Sequence, residues 1–136
     1  MRTVLLDEGL RRTDAPNGLV VVTERLPGVR SAAAGIWVRT ASGHETSAKM
    51  GVSHLLEHMV FKGAGDMGAR EIVERIEAEG GTINASTGYE RTSFEVRGLD
   101  GSLPLAMQVL SDLVFRPTLE EFLAELRPKD NWMDDL

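Results

Sequence analysis

Cysteine is absent from the 136 residues. Without it no disulfide can form, and any zinc site must be built from nitrogen and oxygen ligands. No apolar run approaches the roughly 20 residues of a membrane-spanning helix, so no membrane partner is expected. Basic charge is in deficit: 15 Lys and Arg against 21 Asp and Glu give a net charge of −6. That balance argues against nucleic acid as a partner. The opening residues, Met1-Arg2-Thr3-Val4-Leu5-Leu6-Asp7-Glu8, have no long apolar core and meet acids early. They read neither as a secretory signal nor as a transit peptide, and a cytoplasmic setting is the default expectation. There is no internal repeat and no low-complexity segment. What is present is an apolar fraction of 42%, enough for a packed core. The length suits one domain or a large piece of one.

Histidine is scarce as well, yet two of the three fall in one five-residue window, His54-Leu55-Leu56-Glu57-His58. On a helix, residues four apart lie one above the other on the same face. Both imidazoles can then reach one metal ion from one side. Glu57 projects toward that face too, where a carboxylate can take a proton from an attacking water. The order His-x-x-Glu-His inverts the commoner zinc-protease motif. Val52, Leu55, Leu56, Met59, Val60 and Phe61 supply apolar anchoring for a buried helix. The bland alternative is a pair of surface histidines partnered by Glu57. His44 reads as a solvated loop histidine and has no ligand role.

Asn17-Gly18 is a turn signal, followed by a strand at Leu19 to Thr23. Ser31 to Arg39 is a second strand, buried on both faces, whose small residues suggest close packing beneath a helix. Thr40 to Met50 is a polar loop. The metal helix runs from about Gly51 to Phe61 and stops at Lys62-Gly63-Ala64-Gly65. Ala69 to Glu79 spaces Ile72, Val73 and Ile76 helically, with Glu71 and Arg75 as an i,i+4 pair and Gly80-Gly81 as the stop. Thr82 to Ser86 and Thr92 to Val96 read as a hairpin or two adjacent strands. Leu103 to Val114 is a third helix, capped near Ser102 with Pro104 in its first turn. Thr118 and Glu121 form a capping box opening a fourth. The order predicts an α+β fold, helices packed on a mainly antiparallel sheet.

Three separated segments carry a resemblance. Asn17-Gly18-Leu19 with Val20 to Thr23 looks like an opening strand. Gly51-Val52-Ser53-His54-Leu55-Leu56-Glu57-His58-Met59-Val60-Phe61-Lys62-Gly63 resembles a metal helix almost position for position. Ile76-Glu77-Ala78-Glu79-Gly80-Gly81-Thr82-Ile83-Asn84-Ala85-Ser86-Thr87 resembles the helix end and strand that follow. In this order and spacing the chain resembles the inverzincin metallopeptidases of the pitrilysin, insulysin and mitochondrial-processing-peptidase group, nearest the processing-peptidase-like bacterial branch. The resemblance spans about residues 17–126 and implies that residues 1–136 are a single partial N-terminal metallopeptidase domain, with a divergent tail at 127–136. It implies Zn2+ as cofactor, His54 and His58 as ligands, and Glu57 as the general base of peptide-bond hydrolysis. It places Asn84 and Ala85 on an edge strand that pairs with an extended peptide or protein substrate. A second peptidase-like domain or a homo-oligomer is the further partner it implies.

The resemblance fails toward the end of the chain. The family's third ligand, a Glu on a later helix, falls at Asp135, one methylene shorter and penultimate in the sequence. A supporting Glu two turns earlier falls at Pro128, and a proline inside a helix costs about 3 kcal/mol. Glu120, Glu121 and Glu125 are substitute ligands, although capping and solvation explain them more simply. Three origins suit this pattern: a truncated or frameshifted product, a piece covering the metal-helix half, or a short relative completed by a partner. The abrupt loss near Arg127 favours the first. The leading functional reading is a zinc metalloendopeptidase with little activity as this chain alone. The alternative is a non-catalytic peptide-binding or assembly subunit, against which stands the intact His54, Glu57 and His58. A purely structural metal helix is weaker still, because structural zinc sites usually take four protein ligands and often Cys.

Overall fold

The computed structural model describes residues 1–119. Glu120, Glu121, Glu125, Pro128 and Asp135 lie outside them, as does the body of the helix expected from Thr118. The chain divides into two compact units, Met1–Arg30 and the part from Ser31 onward.

The first unit is a three-stranded antiparallel sheet, β1 (Arg2–Asp7), β2 (Leu10–Asp14) and β3 (Val20–Glu24), in that spatial order. The Asn17-Gly18 turn forms as expected: the Asn17 side-chain oxygen accepts the Leu19 N–H at 3.1 Å, and Ala15 O accepts the Gly18 N–H at 3.0 Å. Only β3 was legible beforehand. In β2 the charges Arg11, Arg12 and Asp14 mask any apolar alternation. Its Arg12–Asp14 ion pair, 2.8 Å long, lies at the surface.

The second unit holds β4 (Ser31–Val38), α1 (Val52–Val60), a minimal hairpin of β5 (Gly63–Ala64) and β6 (Met67–Gly68), then α2 (Ala69–Ala78), β7 (Thr82–Thr87), β8 (Thr92–Leu99) and α3 (Leu103–Phe115). Strands β4, β8 and β7 form one antiparallel sheet with β8 in the middle. Its register aligns Ile36, Phe94 and Ala85 in one row and Ala34, Val96 and Ile83 in the next. Those rows meet Ala106, Val109, Leu110 and Leu113 of α3 and Ile72 and Ile76 of α2 in one apolar core. Each fully buried Val, Leu or Ile there contributes about 1.5–3 kcal/mol relative to exposure. The α+β architecture, with helices on antiparallel strands, is the one expected. The Glu71–Arg75 pair forms at 2.5 Å.

Two expectations need correction. Strand β4 is not covered on both faces: Ala34 and Ile36 pack on the core, whereas Trp37 is 55% exposed. The space at Gly35 is filled by Trp37 itself, since a Cβ there would lie 2.6 Å from the indole. Helix α1 is likewise not buried along its length. Met59 and Val60 enter the core and Phe61 packs against it, but Val52, Leu55 and Leu56 remain 37–38% exposed. Among the described residues, core packing therefore anchors only the C-terminal end of α1. Among the described residues no helix is long and apolar enough to cross a membrane.

Candidate functional site

Helix α1 sets the site. Its i,i+4 spacing brings the His54 and His58 Nε2 atoms to 3.0 Å, with the rings edge to face and their centroids 4.5 Å apart. Two nitrogens on one tetrahedral zinc, each bonded at about 2.0–2.1 Å, lie roughly 3.3 Å apart. The pair is thus already close to the separation that a shared ion imposes. Glu57 belongs to the same cluster, with ligand atoms of all three residues within 4.8 Å of one another. Two imidazoles and a carboxylate, with no thiolate available, form a donor set that suits zinc. Both histidines are exposed and Glu57 is half-buried, so the cluster is open to an incoming ligand.

Glu57 is held from the sheet. The hydroxyl of Thr87, at the end of β7, donates to Glu57 Oε2. Along β7, Ile83, Ala85 and Thr87 are half-buried while Thr82, Asn84 and Ser86 are exposed. Period-two alternation explains this: the first set faces the helices and the second the opposite side. Thr87 was not singled out beforehand, though that alternation with Ile83 and Ala85 was the signal that placed it on the Glu57 side.

A groove of about 440 Å³ runs from this cluster along β7. Glu57, His58 and Phe61 form one wall, Val73 and Glu77 of α2 another, and Thr82 to Ala85 the floor. Among the described residues β7 pairs only with β8, which leaves its other edge unpaired. Asn84 and Ala85 lie on that edge strand, Ala85 on the Glu57 side and Asn84 presenting its side chain to the opposite face.

The N-terminus of α1 is closed by a residue outside the helix. Its N-cap is Gly51, left-handed at φ +90° and without a side chain to cap anything. Glu45 substitutes: Oε2 accepts the Gly51 N–H at 2.6 Å and Oε1 the Ser53 N–H at 2.7 Å. The Ser53 N–H, then the Ser53 hydroxyl and the Gly51 N–H, hold the Glu45 carboxyl below its ordinary range. The loop carrying Glu45 is tied to the β7–β8 turn. Gly43 N–H donates to Tyr89 O at 2.8 Å and the Ser42 hydroxyl to Gly88 O at 2.7 Å. Local sequence shows only a polar loop here, because its mooring at Ser42 and Gly43 is to partners more than forty residues away. His44, left out of the ligand set, accepts the Ala41 N–H on Nδ1 at 3.3 Å. The third-ligand slot, Asp135, lies outside the described residues.

Comparison with known proteins adds to this geometry. Residues 20–129 match the family described as insulinase, peptidase family M16. The chain is 46% identical over 112 residues to an uncharacterized zinc protease of Streptomyces coelicolor, covering 82% of this chain and 24% of that protein. It is 42% identical over 122 residues to an uncharacterized zinc protease of Bacillus subtilis, covering 90% and 29%. The chain therefore spans about a quarter of the length of these curated relatives. Its fold superposes on the crystal structure of pitrilysin with a TM-score of 0.76 at 30% identity, covering 85% of this chain and 12% of pitrilysin.

Proposed function

Because the chain belongs to the insulinase family of peptidases, family M16, we propose that it carries the zinc-binding and water-activating half of a metalloendopeptidase site. The observation that carries this reading is the 3.0 Å approach of the His54 and His58 Nε2 atoms, with Glu57 beside them. His54 and His58 are the ligands. A zinc ion held by them would supply Lewis acidity, the chemistry that makes water a nucleophile near neutral pH.

The chain's own residues do the rest. The substrate lies extended along the unpaired edge of β7, adding to the sheet as a further strand through the backbone of Asn84 and Ala85. Its side chains enter the groove between Phe61, Val73 and Ile83. Glu57 is the general base: it takes a proton from water as the oxygen attacks the carbonyl carbon, then returns it to the departing amine nitrogen as the C–N bond breaks. Thr87 donates to Glu57 Oε2, which makes Oε1 the more basic oxygen and the one that takes the proton. The hydroxyl thereby fixes which carboxylate oxygen faces the chemistry.

A calorimetric zinc titration tests the reading. The chain should bind zinc, Glu57→Gln should keep that binding, and His54→Ala or His58→Ala should abolish it. In an assembly competent for hydrolysis, Glu57→Gln should lose peptidase activity, since Gln keeps the size but cannot accept the proton. Zinc binding that survives His54→Ala unchanged would place the ion elsewhere. Activity that survives Glu57→Gln would assign the base to another group.

A further inference from the structure

Helix α1 has nine residues, few enough to be marginal without tertiary support. That support is uneven. Met59 and Val60 bury the C-terminal end that carries His58, while Val52, Leu55 and Leu56 leave the turn around His54 without a buried anchor. Nor does the N-cap help, because Gly51 has no side chain. An uncapped first turn frays, and a frayed first turn removes His54 from the metal cluster while leaving His58 in place.

We infer that Glu45 is a positioning residue for the metal site: its carboxylate clamps the first turn of α1 and so holds His54 in register with His58. The inference rests on the zinc reading of that histidine pair. Three observations support it. Both carboxylate oxygens are committed to helix-end N–H groups, at 2.6 and 2.7 Å. A negative charge at a helix N-terminus also meets the positive end of the helix dipole. Finally, the loop bearing Glu45 is moored at Ser42 and Gly43 to the Gly88–Tyr89 turn, next to Thr87, which holds Glu57. One hairpin end therefore braces both the base and, through Glu45, the first ligand. Crowding at Gly43 supports the mooring: a Cβ there would lie 2.7 Å from Tyr89 O.

The test uses zinc affinity and amide hydrogen exchange on the 136-residue chain. Glu45→Ala should weaken zinc binding by about five-fold, the factor by which losing an N-cap acceptor typically shifts a helix end toward its frayed form. It should also speed exchange at Gly51, Ser53 and Leu55, and added zinc should slow Leu55 again. Glu45→Gln keeps one acceptor oxygen and should show a smaller loss, which provides the readout if the alanine variant fails to fold. Val109→Ala, a core cavity in α3, is the control for general destabilisation: it should lower Tm without moving zinc affinity. Unchanged zinc affinity in Glu45→Ala, or an equal loss in Val109→Ala, would overturn the positioning role alone. A wild-type chain that binds no zinc would overturn the metal reading and this inference with it.

Discussion

Thr87 donates a side-chain hydrogen bond to Glu57, the base proposed above. A hydrogen bond to a charged group is worth about 1.5–3 kcal/mol net, so losing it should cost about ten-fold or more in rate where it orients the base. Thr87→Val should lower kcat/KM of a competent assembly by at least that factor while zinc affinity stays constant. Thr87→Ser, which keeps the hydroxyl, should restore most of the rate. Steady-state kinetics beside a zinc titration checks both outcomes, and an inert Thr87→Val would remove Thr87 from the mechanism. The contrast with His54 and His58 is instructive. Their approach follows from helical spacing alone, whereas the Thr87–Glu57 contact joins residues thirty apart and exists only once β7 lies beside α1.

At the scale of elements, α1 carries a pH dependence through its cap. The Glu45 carboxyl is held below its ordinary 4.5 by the helix-end donors. A depressed carboxylate contributes stability that is fully present above the unfolded-state value and is lost as pH falls through the folded one. The zinc-free wild type should therefore be more stable than Glu45→Gln above pH 4.5, and the gap should close as pH drops below it. Thermal melts of both proteins across that range measure this, and a gap that widens toward acid would contradict it. The junction between α2 and β7 is a second pressure point. A Cβ at Gly81 would lie 2.9 Å from Arg97 O and 3.1 Å from Ile76 O. These are backbone atoms that cannot swing aside, so Gly81→Ala should destabilise by about 1–3 kcal/mol, the range for overpacking. A Tm equal to wild type would show that the junction has slack. The sequence marked Gly80-Gly81 as a helix stop, and it is one. The crowding that makes Gly81 sensitive comes from the end of α2 and from β8 passing behind it, and the second of these is not written in local sequence.

For the whole molecule, the decisive quantity is the number of metal ligands. A catalytic zinc normally takes three protein ligands plus water. Among the described residues the cluster supplies His54, His58 and Glu57, and the proposed mechanism uses Glu57 as the base. The 136-residue chain alone should therefore hold zinc loosely and hydrolyse an unstructured peptide slowly or not at all. Purified chain assayed with a zinc titration tests this. Robust turnover by a monomer, abolished by a chelator, would mean that Asp135 or one of Glu120, Glu121 and Glu125 completes the site.

Local rules were enough for α1, α2, α3, β3, β4 and the β7–β8 hairpin, because each is written locally: a three-to-four-residue spacing for the helices, β-branched or alternating residues for the strands, and glycines at the breaks. They were enough, too, for the histidine pair, whose geometry is internal to one helix. Local rules did not reveal β1, whose Val4-Leu5-Leu6 run does not alternate, or β2, where charged residues obscure the alternation, nor the openness of α1, whose apolar residues read as buried. Which of those residues are covered depends on how far the core of α2, α3 and the sheet extends beneath the helix, and it ends near Met59. Glu45 and Thr87 belong to the same class. Nothing near them in sequence distinguishes one loop acid or one strand threonine from another. Glu45 reaches its donors six and eight residues on because its loop is moored to the hairpin turn, and Thr87 meets Glu57 because the register of β4, β8 and β7 sets the end of β7 beside α1. Spacing determines what a single element presents, and tertiary packing alone decides which elements meet.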